Sequence, residues 1–225
     1  MKRRLINRIL TKKDLIIYTI TFFTIGMVFS QNGVSAKKLL DGVSNKMSAY
    51  NNVFVDFDYV LDNKSEDVQQ EMSGDVVMQG DKYVVNLFGS TQIFDGSKTY
   101  TIIPENEEVN ISDADIDSDN TFTPSKFYSF YENGYTYFLD EIKKVNGKQI
   151  QFVKLIPIDS NSEIDSILVG IDLRTEHIYQ IIEIGKNKTQ TILTAKEIKI
   201  DQNLDSSMFR FNEKKYTELN YMINK

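Results

Sequence analysis

The 225-residue chain has no cysteine, no tryptophan and a single histidine, His177. Without cysteine there are no disulfides and no thiol chemistry. A lone histidine cannot form a two-histidine metal site. Because no partner motif accompanies His177, its imidazole is expected to stand exposed beside a turn at the start of a strand. The sequence contains no Gly-Xaa-Ser-Xaa-Gly, glycine-rich phosphate loop or His-Glu-Xaa-Xaa-His motif. Paired carboxylates could act as a glycosidase without leaving a linear signature, but the remaining groups that take protons, attack or hold a metal are missing. No catalytic residue, metal ligand or cofactor is therefore expected, and the chain is not expected to be an enzyme.

Positive charge is scarce beyond the first thirty residues. Lys2, Arg3, Arg4, Arg8, Lys12 and Lys13 form a basic start, and Leu15 to Phe29 follows without a charge. This is the pattern of an export signal. An uncleaved anchor is the competing reading, but the apolar run falls short of the roughly 20 residues that span a bilayer. Residues 1–30 are thus expected to be a signal peptide, with Gln31 as the mature start and Val34-Ser35-Ala36 as a second cleavage candidate. No cysteine follows to be acylated. Cleavage leaves 20 basic against 31 acidic residues, changing the net charge from −6 to −11. An acidic exported domain repels phosphate backbones and anionic head groups, which argues against nucleic-acid binding and charge-driven membrane association. With no disulfides, an exported domain of residues 31–225 must be held by packing alone, which this length allows.

What the chain does have is alternation. From Gln70 to Ile111, short apolar and polar alternations are punctuated by Gly80-Asp81, Gly89-Ser90, Asp95-Gly96 and Pro104-Glu105-Asn106, which predicts an antiparallel meander. Val53, Val55, Phe57, Tyr59 and Leu61 alternate with Asp56 and Asp58 in a strand before it. After it, Asn146-Gly147, the Pro157 to Glu163 loop, Arg174-Thr175-Glu176 and Lys186-Asn187-Lys188 separate five longer strands between Tyr135 and Ile200. The total is about eleven strands in one domain, without an internal repeat. Two helices are predicted. Ala36 to Tyr50 carries Leu39, Val43 and Met47 on one face; it is either a helix packed on the core or a movable lid over a groove. Thr123 and Pro124 start a short second helix whose Phe127, Phe130 and Tyr131 are core contacts or a ligand-facing wall. Between them, Asp113, Asp115, Asp117 and Asp119 lie in a solvated loop. The loop lacks the EF-hand glycine and glutamate, since Ser118 and Pro124 occupy those positions.

A sheet rich in Ile, Val, Phe and Tyr with amphipathic covers suits an apolar ligand. A chain of about 16 carbons would gain on the order of 12 kcal/mol on burial, at about 0.8 kcal/mol per CH₂. Parity places Val55, Phe57, Val76, Met78, Tyr83, Val85, Leu87, Phe94, Tyr100 and Ile102 on the inner face, with Asn86, Thr99 and Thr101 outward. Phe127 and Phe130 complete the expected wall, with Leu39, Val43 and Met47 above it. A closed core is the alternative use of the same residues.

The order of these parts resembles the periplasmic outer-membrane lipoprotein carrier (LolA-like) family. The likeness lies in the helix ending near Tyr50, the Val55-Asp56-Phe57 strand, the Gly74 to Tyr83 hairpin, the Asp95-Gly96 turn with Tyr100 after it, the Pro104 loop, the Thr123-Pro124 helix and the closing Phe209-Arg210-Phe211. The resemblance implies a mainly β fold: a half-open antiparallel β-barrel of about eleven strands with α-helices covering its concave face. It also implies a monomeric carrier that binds acyl chains of lipoproteins, or another acylated lipid, and shuttles them from an inner-membrane releasing transporter to an outer-membrane acceptor. A relative of the same fold acts instead as an envelope-stress regulator that binds a membrane protein's periplasmic segment. Gln79-Gly80-Asp81 stands where the family has an Arg-Pro pair, and Val84-Val85 stands where a tryptophan is common, so lid locking by arginine does not carry over.

Overall fold

The computed structural model describes residues 32–113 and 128–225. The export segment, Phe127, the Thr123-Pro124 helix start and the aspartates at 115, 117 and 119 lie outside them. Helix α1 spans residues 32–48, and its apolar stripe (Ala36, Leu40, Val43 and Met47) is at most 4% exposed. The spacing of these four side chains puts them on one face. Burying each of the three larger ones contributes about 1.5–3 kcal/mol.

Among the described residues, twelve strands form a single sheet that does not close. In chain order they are β1 (Val53–Asn63), β2 (Val68–Gln79), β3 (Lys82–Leu87), β4 (Ser90–Phe94), β5 (Lys98–Ile103), β6 (Glu108–Asp113), β7 (Tyr135–Val145), β8 (Lys148–Pro157), β9 (Ile164–Asp172), β10 (His177–Gly185), β11 (Gln190–Ile200) and β12 (Met222–Asn224). Their order across the sheet is β12-β6-β5-β4-β3-β2-β1-β11-β10-β9-β8-β7. Two meanders, β2 to β6 and β7 to β11, are therefore joined through the pairing of β1 with β11. The fold class is the one expected, a half-open antiparallel sheet with α1 on its concave side. The strands number twelve because the tail adds β12, parallel to β6.

Turn chemistry sets the hairpin registers. Asn146 and Gly147 both have positive φ (50° and 79°), the type I′ geometry that matches strand twist. Phe88 and Gly89 repeat it at 54° and 70°, which puts a bulky residue in a conformation that disfavours it. Val53, Met78, Tyr83, Phe94, Val153, Leu155, Val169 and Ile171 pack with the α1 stripe into the main core.

A second cluster lies on the opposite face of the sheet. There Ile93, Ile102 and Val109 are buried, with Val84, Tyr100, Ile111, Phe211, Tyr216, Tyr221 and Ile223 against them. This corrects the expected parity of β5. Thr99 is paired with Phe94 and Thr101 with Gln92 on the inner side, whereas Tyr100 and Ile102 pair with Ile93 and Thr91 and face outward. The tail supplies the cover. Phe211 stacks between Tyr100 (4.7 Å) and Tyr216 (5.3 Å), followed by helix α2 (Glu213–Glu218) and β12. Phe211→Ala is expected to lower stability by about 2–3 kcal/mol, as truncation of a packed aromatic does, without changing ligand binding on the other face. Denaturant unfolding alongside a dye-binding titration checks both halves of that expectation.

Both outer edges of the sheet are partly covered. At β7, Asn32 spans both backbone groups of Leu139: its carboxamide oxygen accepts from the Leu139 N–H and its nitrogen donates to the Leu139 carbonyl. At β6, β12 takes the outer edge.

Candidate functional site

A cavity of about 330 Å³ opens on the concave face beside α1. Its wall is built from β1 (Val55, Phe57, Tyr59), β2 (Val76, Met78), β3 (Val85, Leu87), β10 (Ile178, Tyr179, Ile181) and β11 (Leu193, Ala195, Ile198), with Met47 and Tyr128 above. Among the described residues, Gln92 is the one carboxamide in the lining, and none of the lining side chains is charged. The volume sits at the low end of the roughly 300–1,000 Å³ typical of ligand pockets.

Register explains the apolar wall. One row across the sheet runs Ile198, Val55, Val76, Val85, Gln92 and Thr101, each paired with the next. Period-two alternation puts every member on the inner face. Gly74 lies in the adjoining row opposite Phe57. A Cβ there would come within 2.9 Å of both Phe57 Cζ and Leu87 Cδ1, so the glycine is what lets those side chains lie down along the wall.

Of the residues expected to form a groove, Val55, Phe57, Val76, Met78, Val85, Leu87 and Met47 line the cavity. Tyr83 (3% exposed) and Phe94 (1%) sit in the core beside it. Leu39 and Val43 are core contacts of α1, and Phe130 packs against the core near Tyr131 and Tyr135. Tyr100 and Ile102 belong to the other face, and Phe127 is outside the described residues. Sequence reasoning missed Tyr59, Gln92, Tyr128 and the entire β10–β11 wall. Tyr59 was signalled by the parity of β1; the β10–β11 wall follows only from β11 pairing with β1.

The helix over the groove is tied down along its length. The Tyr131 hydroxyl donates to Asp41 Oδ1 at 3.0 Å, and Asp41 also holds Lys37 at 2.8 Å. Near the C-terminal end, Lys46 Nζ is 3.0 Å from Glu176 Oε2 and the Tyr50 hydroxyl is 2.9 Å from His177 Nε2. These two contacts fasten the end that carries Met47 to the β9–β10 turn. His177 is therefore half-buried and hydrogen-bonded rather than exposed as expected.

Burial, with the nearby charge of Lys46, lowers the His177 pKa from its ordinary 6.5, against a weaker upward pull from Asp172 and Glu176. The folded state thus favours neutral imidazole. Its contribution to stability is fully present above the unfolded value and is lost as pH falls through the depressed folded value. Because His177 is the sole histidine, its imidazole resonances are unambiguous, and an NMR titration is expected to give a midpoint below 6.5. His177→Gln should flatten the acid side of the stability profile. A midpoint above 6.5 would contradict the burial argument.

Among the described residues no His/Cys/Asp/Glu group could hold a metal ion, and no helix is long and apolar enough to cross a membrane. No family model and no curated protein matches the chain by sequence. Solved structures match it by shape. An uncharacterized conserved protein from Thermus thermophilus superposes with a TM-score of 0.52 at 10% identity, covering 84% of this chain and 98% of that one. A LolA superfamily protein from Nitrosomonas europaea gives 0.40 at 10%, covering 78% and 97%. The MucA/MucB complex of Pseudomonas aeruginosa gives 0.43 at 11%, covering 79% of this chain and 61% of the matched one. At such identities the likeness is one of fold. An unclosed antiparallel sheet with a helix across its concave face is the architecture that the carrier-family resemblance implied.

Proposed function

We propose that the chain is an exported, non-enzymatic carrier. It holds the acyl chains of a lipoprotein, or of a related lipid, in the groove beneath α1 and moves them between the inner and outer membranes. The observation that supports this most is the cavity wall: aliphatic and aromatic side chains from five strands face an opening of about 330 Å³. A closed core built from the same residues would leave no such space. The absence of charge from the lining suits an uncharged cargo segment, since a fixed charge there would be costly to desolvate.

Export rests on the basic-then-apolar start of the chain. A mature start at Gln31 keeps Asn32, whose side chain pairs with Leu139; cleavage after Ala36 would remove it. N-terminal sequencing of the native protein is expected to begin at Gln31.

Extraction of the purified native protein with organic solvent, followed by mass spectrometry, tests the cargo. Acylated peptides are the expected result, and free lipids alone would make it a broader lipid carrier. A stoichiometric membrane-protein segment with no acyl material would overturn the carrier reading in favour of a regulator of the same fold.

A further inference from the structure

Among the described residues the groove lining holds one amide, Gln92, whose oxygen is committed and whose nitrogen makes one long hydrogen bond for its two N–H groups. The Tyr83 hydroxyl donates to Gln92 Oε1 at 2.9 Å. Tyr83 is itself buried and hydrogen-bonded to Thr99, and burial raises its pKa, so the hydroxyl stays protonated and keeps donating. This fixes the amide with its oxygen toward Tyr83 and its nitrogen away from it. Among the described residues, the acceptor facing Nε2 is Thr101 Oγ1 at 3.5 Å, the limit of a hydrogen bond. A glutamine amide has two N–H groups to place. The neighbour of Gln92 in its register row is Val85, with Val76 and Val55 beyond. The donor thus stands at the end of an aliphatic row.

We propose that Gln92 receives the carbonyl oxygen of a neutral acyl ester or amide, which makes it a specificity-determining residue of the groove. This rests on the carrier reading above and adds the chemical class of the cargo's linkage. A plain hydrocarbon leaves the second N–H without an acceptor, at the cost of an unmade bond. A fatty carboxylate would satisfy the N–H but bring a charge that no Lys, Arg or His of the lining offsets. An ester or amide carbonyl supplies the acceptor without the charge. The head group beyond it can then remain in water.

The test uses the mature protein loaded with a neutral naphthylamine dye, displaced by methyl laurate, by laurate at neutral pH, and by an alkane of the same length. Wild type is expected to prefer the ester over both others by roughly five- to tenfold, the range of one added hydrogen bond. Gln92→Leu should abolish that preference and leave alkane binding intact. Tyr83→Phe keeps the lining but removes the group that orients the amide, so it should weaken the ester preference even if the Gln92 variant does not fold. Equal displacement of dye by ester and alkane from wild type would overturn the proposal while leaving an apolar carrier. Failure of wild type to bind the dye or any of the three would overturn the carrier reading itself. A preference for laurate would assign the groove to free fatty acids and refute the role given to Gln92.

Discussion

Val85→Glu is expected to cut the affinity for a neutral apolar dye by at least about tenfold while the protein stays folded, a difference of about 1.4 kcal/mol or more in binding. Val85 is half-buried and its side chain faces the cavity. A carboxylate there can keep water while the groove is empty, but it must be desolvated when an apolar ligand enters. The loss of stability should therefore stay under about 2 kcal/mol. Phe94→Ala supplies the contrast. Phe94 lies on the same face of the neighbouring strand, two positions along from Gln92, the partner of Val85; it is 1% exposed and does not line the cavity, so truncation should cost about 3–5 kcal/mol of stability. Asn86→Lys is the outward control, because Asn86 donates to Asp75 at 2.9 Å on the other face, where a cation would be matched. Unfolding curves and dye titrations on the three variants separate groove from core. If Val85→Glu unfolds while Phe94→Ala survives, the cavity is part of the core and no groove exists.

Gly74→Ala is expected to be among the most destabilising single-methyl additions in the chain, at about 2–3 kcal/mol, the upper range for overpacking. The added Cβ would lie 2.7 Å from the Asn86 carbonyl oxygen on the paired strand, a backbone atom held by the β2–β3 ladder. Leu87 and Phe57 could swing aside, but only into the cavity, so dye affinity should fall with stability. Gly42 provides the control: a Cβ added there, on a helix, would meet nothing within 4 Å, so alanine should be neutral or stabilising. Chemical denaturation decides the matter. A change below about 0.5 kcal/mol at Gly74, within the range of an ordinary surface substitution, would show that β3 is free to shift.

Local patterns made most of the elements legible. The spacing of Leu39, Val43 and Met47 marked α1, although the structure buries Leu40 more deeply than Leu39, and Asn146-Gly147 marked its hairpin. The parity of Val55, Phe57, Val76, Met78, Val85 and Leu87 identified half of the groove wall. The other half depends on which strand pairs with β1 on its far side, and alternation fixes faces rather than neighbours. A bulge between Asp56 and Phe57 adds Lys196 to β11, where it bridges Asp56 (2.9 Å) and Asp58 (3.2 Å) on the outer face. Tyr100 and Ile102 misled for a different reason. Apolar parity points to the core only when one face is wet, and there the tail buries the other face beneath Phe211, Tyr216 and Tyr221. The inward threonines then serve the polar side of the groove, with Thr99 bonded to Tyr83 and Thr101 facing Gln92. The tail itself carried too short a pattern to be read as β12.

An open sheet of this size has two rims, and the beginning and the end of the described chain lie along them. Asn32 presents to Leu139 the same donor and acceptor that an incoming strand would, and Met222 to Asn224 occupy the outer edge of β6. An unpaired rim is a template for another copy of the same chain. Trimming at either end should therefore show itself first as self-association, through rim-to-rim pairing of sheets whose interiors are unchanged.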